Sequence, residues 1–70
     1  MCLATVYVDH NGHREEIMRD VAWIELGEDK LVLIGFLGEE RLLHSRIKRI
    51  DLLDSSIMLE ETGEDRGEAG

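Results

Sequence analysis

The residue with the most useful chemistry in this chain is Cys2, the only cysteine among its 70 residues. Removal of Met1 is expected because the second residue is small, and it would leave a thiol and a free α-amine on Cys2. Sulfur and nitrogen ligands suit Ni, Cu and Zn, and these two atoms can close a five-membered chelate ring. One residue cannot fill a coordination sphere, so a second copy of the chain is the simplest source of further ligands. The competing interpretation is a small buried side chain that only packs, which is common for free cysteine.

The three histidines are weaker candidates for metal ligands. His10 and His13 flank an Asn-Gly pair, the strongest short signal for a hairpin turn, and are expected to be solvated. An extended strand places His10 roughly 25 Å from Cys2 at about 3.3 Å per residue, so one chain cannot bring both to one ion. His44 stands beside two leucines and is expected to pack across strands. A contribution of any of the three to a metal site stays open.

A second function is suggested by Arg46, Lys48 and Arg49, which form the basic cluster of the chain. Small β-barrels with such a cluster can bind RNA. However, the chain has only three aromatic residues, whereas single-strand binders stack bases on aromatic side chains. Its formal net charge of −8 also repels a phosphate backbone. Ion pairs with the many carboxylates are the favoured interpretation, and an RNA-binding module is kept as the alternative function.

Nothing in the sequence arranges a catalytic group. Glu15-Glu16 and Glu39-Glu40 are adjacent carboxylates, and neighbours on a strand point to opposite faces, so neither pair forms a catalytic dyad. No serine or cysteine stands in a pattern that fixes it beside a base. We therefore expect a binding protein and not an enzyme. A plain interaction domain in which Cys2 only packs is the third possibility.

Short apolar stretches with turn signals between them, at a spacing of about 8–12 residues, predict an all-β fold. We predict a small six-stranded antiparallel barrel, SH3-like in size, formed by residues 1–61. Residues 62–70 are acidic, contain three glycines and lack large apolar side chains, which predicts a disordered tail. A helix over 46–53 is the competing assignment for one segment. The predicted strands cover residues 2–8, 13–18, 21–26, 31–37, 41–50 with a bend near 45, and 57–61.

The fourth predicted strand is apolar on both of its faces. Its alternating rows are Leu31, Leu33 and Leu37 on one side and Val32, Ile34 and Phe36 on the other. A strand in a small antiparallel barrel normally has one apolar face on the core and one polar face in solvent. Because both faces are apolar here, we expect a second subunit to cover the face that would otherwise be exposed to solvent. A chain of this length buries only about 60% of its surface on folding, which also favours a homodimer or a bound metal as support.

The cellular compartment is suggested by the lone thiol, which is typical of reducing conditions. The chain opens with no basic and apolar signal segment. No apolar run approaches the roughly 20 residues that a membrane helix needs. We therefore expect a cytoplasmic protein that does not enter a membrane.

The opening tetrapeptide Met1-Cys2-Leu3-Ala4, followed by a strand, resembles the start of the CooT-type proteins. The order of later elements is also similar: the Asn-Gly turn, an Asp20-Val21-Ala22 step, a pair of apolar strands, Ile50-Asp51 and a closing strand. CooT-type proteins are nickel-binding accessory proteins associated with the maturation of carbon monoxide dehydrogenase. The resemblance implies that Cys2 is the nickel ligand and that two copies pair their thiolates across a two-fold axis. It further implies a metallochaperone whose client is a nickel enzyme such as carbon monoxide dehydrogenase.

Overall fold

The all-β prediction is confirmed by the computed structural model, which describes residues 3–61. The segments 1–2 and 62–70, which hold Cys2 and the predicted tail, lie outside the described residues. Within 3–61 there are six strands, and they form a single curled sheet with the shape of a half-barrel. The strands are β1 Ala4–His10, β2 His13–Leu26, β3 Leu31–Gly35, β4 Glu40–Leu43, β5 Ser45–Asp51 and β6 Ser56–Glu61.

The sheet has the strand order β4-β3-β2-β1-β6-β5, which places β4 and β5 at its two edges. Every neighbouring pair is antiparallel except β1 and β6, which run parallel, so the prediction of a wholly antiparallel barrel is wrong at this pair. A parallel pair needs a long connection between its strands, and the four intervening strands supply it here.

The long strand β2 replaces two predicted strands, 13–18 and 21–26. Its first half pairs with β1 and its second half with β3. Between the halves, Asp20 has a φ of 57°, which bends the strand without ending it. Asp tolerates this left-handed conformation better than most residues because its short polar side chain can bond locally.

The predicted fifth strand, 41–50, is divided into β4 and β5. These two strands pair with β3 and β6 respectively, at opposite edges of the sheet. His44 lies exposed in the bend between them, so the prediction that it packs inside a strand is wrong. The alternative helix over 46–53 is also wrong, because Ser45–Asp51 is strand β5.

The core fills the concave side of the half-barrel. Leu31 and Leu33 of β3 are buried there and share one face, as their alternation predicts. Leu37, predicted to continue that row, instead lies in the following turn and is 84% exposed. Ile34, on the opposite face of β3, is buried as well, so both faces of this strand carry buried apolar side chains. The buried core consists of Val6, Val8, Val21, Leu31, Leu33 and Leu59, packed against Ile17, Met18, Ile24, Leu43, Ile47 and Ile57.

Candidate functional site

The start of β1 at Ala4, two residues after Cys2 in the sequence, is hydrogen-bonded into the sheet. The backbone N–H of Thr5 donates to the carbonyl of Ser55 at 2.9 Å. On one side Thr5 pairs in parallel register with Ser56, and on the other Ala4 pairs with Val21 of β2. The chain two residues after Cys2 therefore has a fixed place between β2 and β6.

An apolar groove of about 270 Å³ opens at this end of β1, and we call it the N-terminal groove. Leu3 and Ala4 form one wall, directly after Cys2 in the sequence. Leu52 is 85% exposed although it lines this groove. The complete lining is Leu3, Ala4, Ile50, Asp51, Leu52, Ser55, Ser56 and Ile57.

A second groove of about 320 Å³ shares Ala4, Ile50 and Ile57 with the first and runs along the open side of the half-barrel. The opening exists because β1 begins at Ala4, opposite Val21, so within residues 3–61 the end of β2 has no strand on that side. Strand β5 is an edge strand and does not close the gap. The additional lining residues are Val21, Ala22, Trp23, Ile24, Leu26 and Ile47.

The predicted metal ligand Cys2 lies outside the described residues, and its role stays a prediction. Within residues 3–61, no group of three or more His, Cys, Asp and Glu side chains is placed to hold a metal ion. His10 is the last residue of β1, at the opposite end of the strand from Ala4. Its two ring nitrogens face different carboxylates, at 3.2 Å from Glu15 and 3.4 Å from Glu61, while His13 is exposed at the start of β2.

The basic cluster is ion-paired, as the sequence predicts. The pairs are Arg46–Glu60 at 3.4 Å, Lys48–Asp9 at 2.7 Å and Arg49–Asp51 at 3.7 Å. Lys48 donates a hydrogen bond to Asp9, which lowers the pKa of that carboxyl, and the same contact raises the pKa of Lys48. With each cation held by a carboxylate, this edge of the sheet does not present the unpaired positive charge that a phosphate backbone would require.

The contribution of Leu52 to the N-terminal groove was missed by the sequence reasoning, which assigned the segment after 51 to a simple connection. A signal was available, because Leu52 and Leu53 are two large apolar residues in a turn. Leu52 is 85% exposed and lines the groove, whereas Leu53 is 102% exposed and does not line it. An exposed apolar side chain beside an apolar groove extends the surface available for contact.

The family model described as "CO dehydrogenase accessory protein CooT" matches residues 1–60. A crystal structure of a candidate CooT from Carboxydothermus hydrogenoformans is similar, with a TM-score of 0.80 and 27% sequence identity. The similarity covers 86% of this chain and 97% of that chain. No curated protein sequence matches. Within residues 3–61, no helix is long and apolar enough to cross a membrane.

Proposed function

The chain belongs to the CooT family of CO dehydrogenase accessory proteins, and we propose that it binds Ni(II) through the Cys2 thiolates of two copies. The observation that carries the proposal is the family match over residues 1–60, which includes the tetrapeptide around Cys2. The firm attachment of Thr5 to Ser55 supports it, because a ligand near a fixed strand is easier to pre-organise.

The chemistry of the proposed site follows from the ligand types. A thiolate is a soft ligand, and an amine or backbone nitrogen can accompany it, which suits the square-planar coordination of Ni(II). Two copies related by a two-fold axis would present the same ligands twice, so one metal ion would be shared by two chains. Ligands must lose their protons to bind, so the affinity should rise with pH.

The N-terminal groove supports the dimeric arrangement. It is apolar, it is open, and its lining includes Leu3, the residue that follows Cys2 in the sequence. A second copy that covers Ile50 and Leu52 would bury exposed apolar surface and bring the two N-terminal segments together. The dimer and the metal site would then stabilise each other, because metal binding adds to the free energy of association.

The proposed role is that of a cytoplasmic metallochaperone that serves maturation of a nickel enzyme such as carbon monoxide dehydrogenase, and not of a catalyst. Reducing conditions would keep the Cys2 thiol free for the metal.

Titration of Ni(II) into the purified protein tests this function. We expect an absorption band from thiolate-to-nickel charge transfer that saturates at one Ni(II) per two chains. Cys2→Ser should abolish the band, whereas the matched ligand control His13→Ala should leave it unchanged, because His13 is exposed at the start of β2, at the opposite end of the β1–β2 hairpin from Ala4. A band that survives Cys2→Ser and disappears in His13→Ala would overturn the proposal.

A further inference from the structure

The outer face of strands β2, β3 and β4, on the side away from the core, carries apolar side chains in register. Residues directly opposite each other in an antiparallel pair share a face, with Cβ atoms about 4.5–5.5 Å apart. Leu33 and Ile24 pair on the core side, so the residues next to them point outward. The two outward rows are Trp23–Ile34–Glu40 and Glu25–Val32–Leu42. We call these six residues, together with Phe36, the outer patch.

The large apolar side chains of the outer patch are unusually accessible. Trp23 is 55% exposed, and Leu42 and Phe36 are each 53% exposed. Phe36 lies in the turn directly after β3, and its backbone N–H donates to the carbonyl of Asp20, which ties this turn to β2. A contiguous apolar patch with polar neighbours is typical of protein contact surfaces, and tryptophan is enriched among the residues that dominate their affinity.

The charge of the outer patch is negative and uncompensated. Glu25 and Glu40 are exposed, and neither has an ion-pair partner among residues 3–61. Arg41, the cation of β4, pairs in register with the core residue Leu33 and donates to the carbonyl of Ile17. It therefore lies on the inner side of the sheet and does not neutralise the patch.

The other half of the sheet has a different arrangement of charge. There, three carboxylates on β1, β5 and β6 are paired with a lysine or an arginine, namely Asp9 with Lys48, Asp51 with Arg49 and Glu60 with Arg46, and the fourth, Glu61, lies 3.4 Å from His10. In the half formed by β2, β3 and β4, by contrast, the outer patch combines exposed apolar side chains with two carboxylates that have no ion-pair partner among residues 3–61. Such a surface attracts a partner whose contact surface is apolar and is surrounded by Lys or Arg.

We propose that the outer patch docks the client enzyme through an apolar, basic surface of that enzyme. This inference rests on the proposed accessory function, but it uses a different part of the molecule from Cys2. A second copy of the chain is a poor occupant, because pairing two outer patches would bring four carboxylates into one interface. The patch itself contains no cation to relieve that repulsion.

The experiment measures binding of the full-length protein to purified, metal-free CO dehydrogenase, immobilised for biolayer interferometry. The wild type should bind, with an affinity that falls as salt is added. Leu42→Arg should weaken binding at least about tenfold, as expected for a central interface residue. The matched control Leu53→Arg changes another exposed leucine, on a turn away from the patch, and should change the affinity by less than about twofold.

A second pair of variants tests the charge of the patch. Glu40→Lys should weaken binding and reduce its dependence on salt. Glu16→Lys makes the same change of charge in the half of β2 that pairs with β1, outside the outer patch, and should do neither. Thermal unfolding shows whether Leu42→Arg folds. If it does not fold, Glu40→Lys still tests the outer patch.

Separate outcomes distinguish this inference from the nickel proposal. Cys2→Ser should lose Ni(II) binding and still bind the metal-free enzyme, because the outer patch is intact. The inference would be overturned if the wild type did not bind the enzyme, or if both patch variants bound as the wild type does. It would also be overturned if the patch variants split a homodimer without weakening enzyme binding, because the occupant would then be a second copy.

Discussion

The Nζ atom of Lys48 lies 2.7 Å from Oδ2 of Asp9, although strand β6 separates the two strands that carry them. This contact joins β5 to β1 across the sheet. It lowers the pKa of Asp9 and raises the pKa of Lys48. For Asp9, the stabilising contribution is present above its unfolded pKa of about 3.9 and is lost as the pH falls through the lower folded value. For Lys48, it is present below about 10.4 and is lost as the pH rises through the raised folded value.

Removal of this cation gives the first prediction. Lys48→Met should return the pKa of Asp9 upward, toward its ordinary range, because the hydrogen bond from the ammonium is the largest cause of the shift. The measurement is a carboxyl NMR titration. Lys30→Met, which removes a lysine from a turn remote from Asp9, is the matched control and should leave the titration of Asp9 unchanged. Identical titrations in wild type and Lys48→Met would show that the pair does not form in solution.

Local features of this fold were predictable from sequence. The Asn11-Gly12 hairpin turn was predictable, because Asn and Gly tolerate the positive φ that such a turn requires, and both residues adopt it here. The placement of Leu31 and Leu33 on one face followed from alternation, whereas the choice of that face for the core did not, because the opposite row is equally apolar. The parallel pairing of β1 with β6 and the contact between Lys48 and Asp9 were not predictable, because they depend on how distant segments meet. The sequence predicted two strands in place of β2, because Asp is common in turns. In the structure Asp20 bends the strand and does not end it.

The second prediction concerns this bend. Asp20→Val should destabilise the protein by about 1–2 kcal/mol, because a β-branched residue tolerates a φ of 57° poorly. Asp20→Asn should be close to neutral, since Asn adopts the same conformation readily. Urea denaturation measures both. Equal stability of the two variants would mean that the bend imposes no conformational demand at position 20.

The third prediction separates two leucines that the sequence placed in one row. Leu33→Ala should lower the free energy of unfolding by about 2–5 kcal/mol, because Leu33 is fully buried in the core. Leu37→Ala should change it by less than about 0.5 kcal/mol, since this side chain is 84% exposed. Chemical denaturation at one protein concentration compares them. A comparable loss in both variants would indicate that Leu37 is covered, for example by a second subunit.

The fourth prediction concerns the α-amine of Cys2. A form of the protein with extra residues before Cys2 keeps the thiol but loses the amine chelate, so it should bind Ni(II) more weakly than a form that begins at Cys2. The affinity of the latter should rise with pH as thiol and amine lose protons near about 8.5 and about 7.7–8.0. Isothermal titration calorimetry in buffers of different ionisation enthalpy would count the released protons. Equal affinity and equal proton release in both forms would exclude the amine as a ligand.

Native mass spectrometry with and without Ni(II) tests the central claim most directly, because it counts chains and metal ions in the same particle. We predict a complex of two chains with one Ni(II), and loss of the metal in Cys2→Ser without loss of the folded protein. One Ni(II) on each single chain, or undiminished Ni(II) binding by Cys2→Ser, would contradict a site built from the paired Cys2 thiolates.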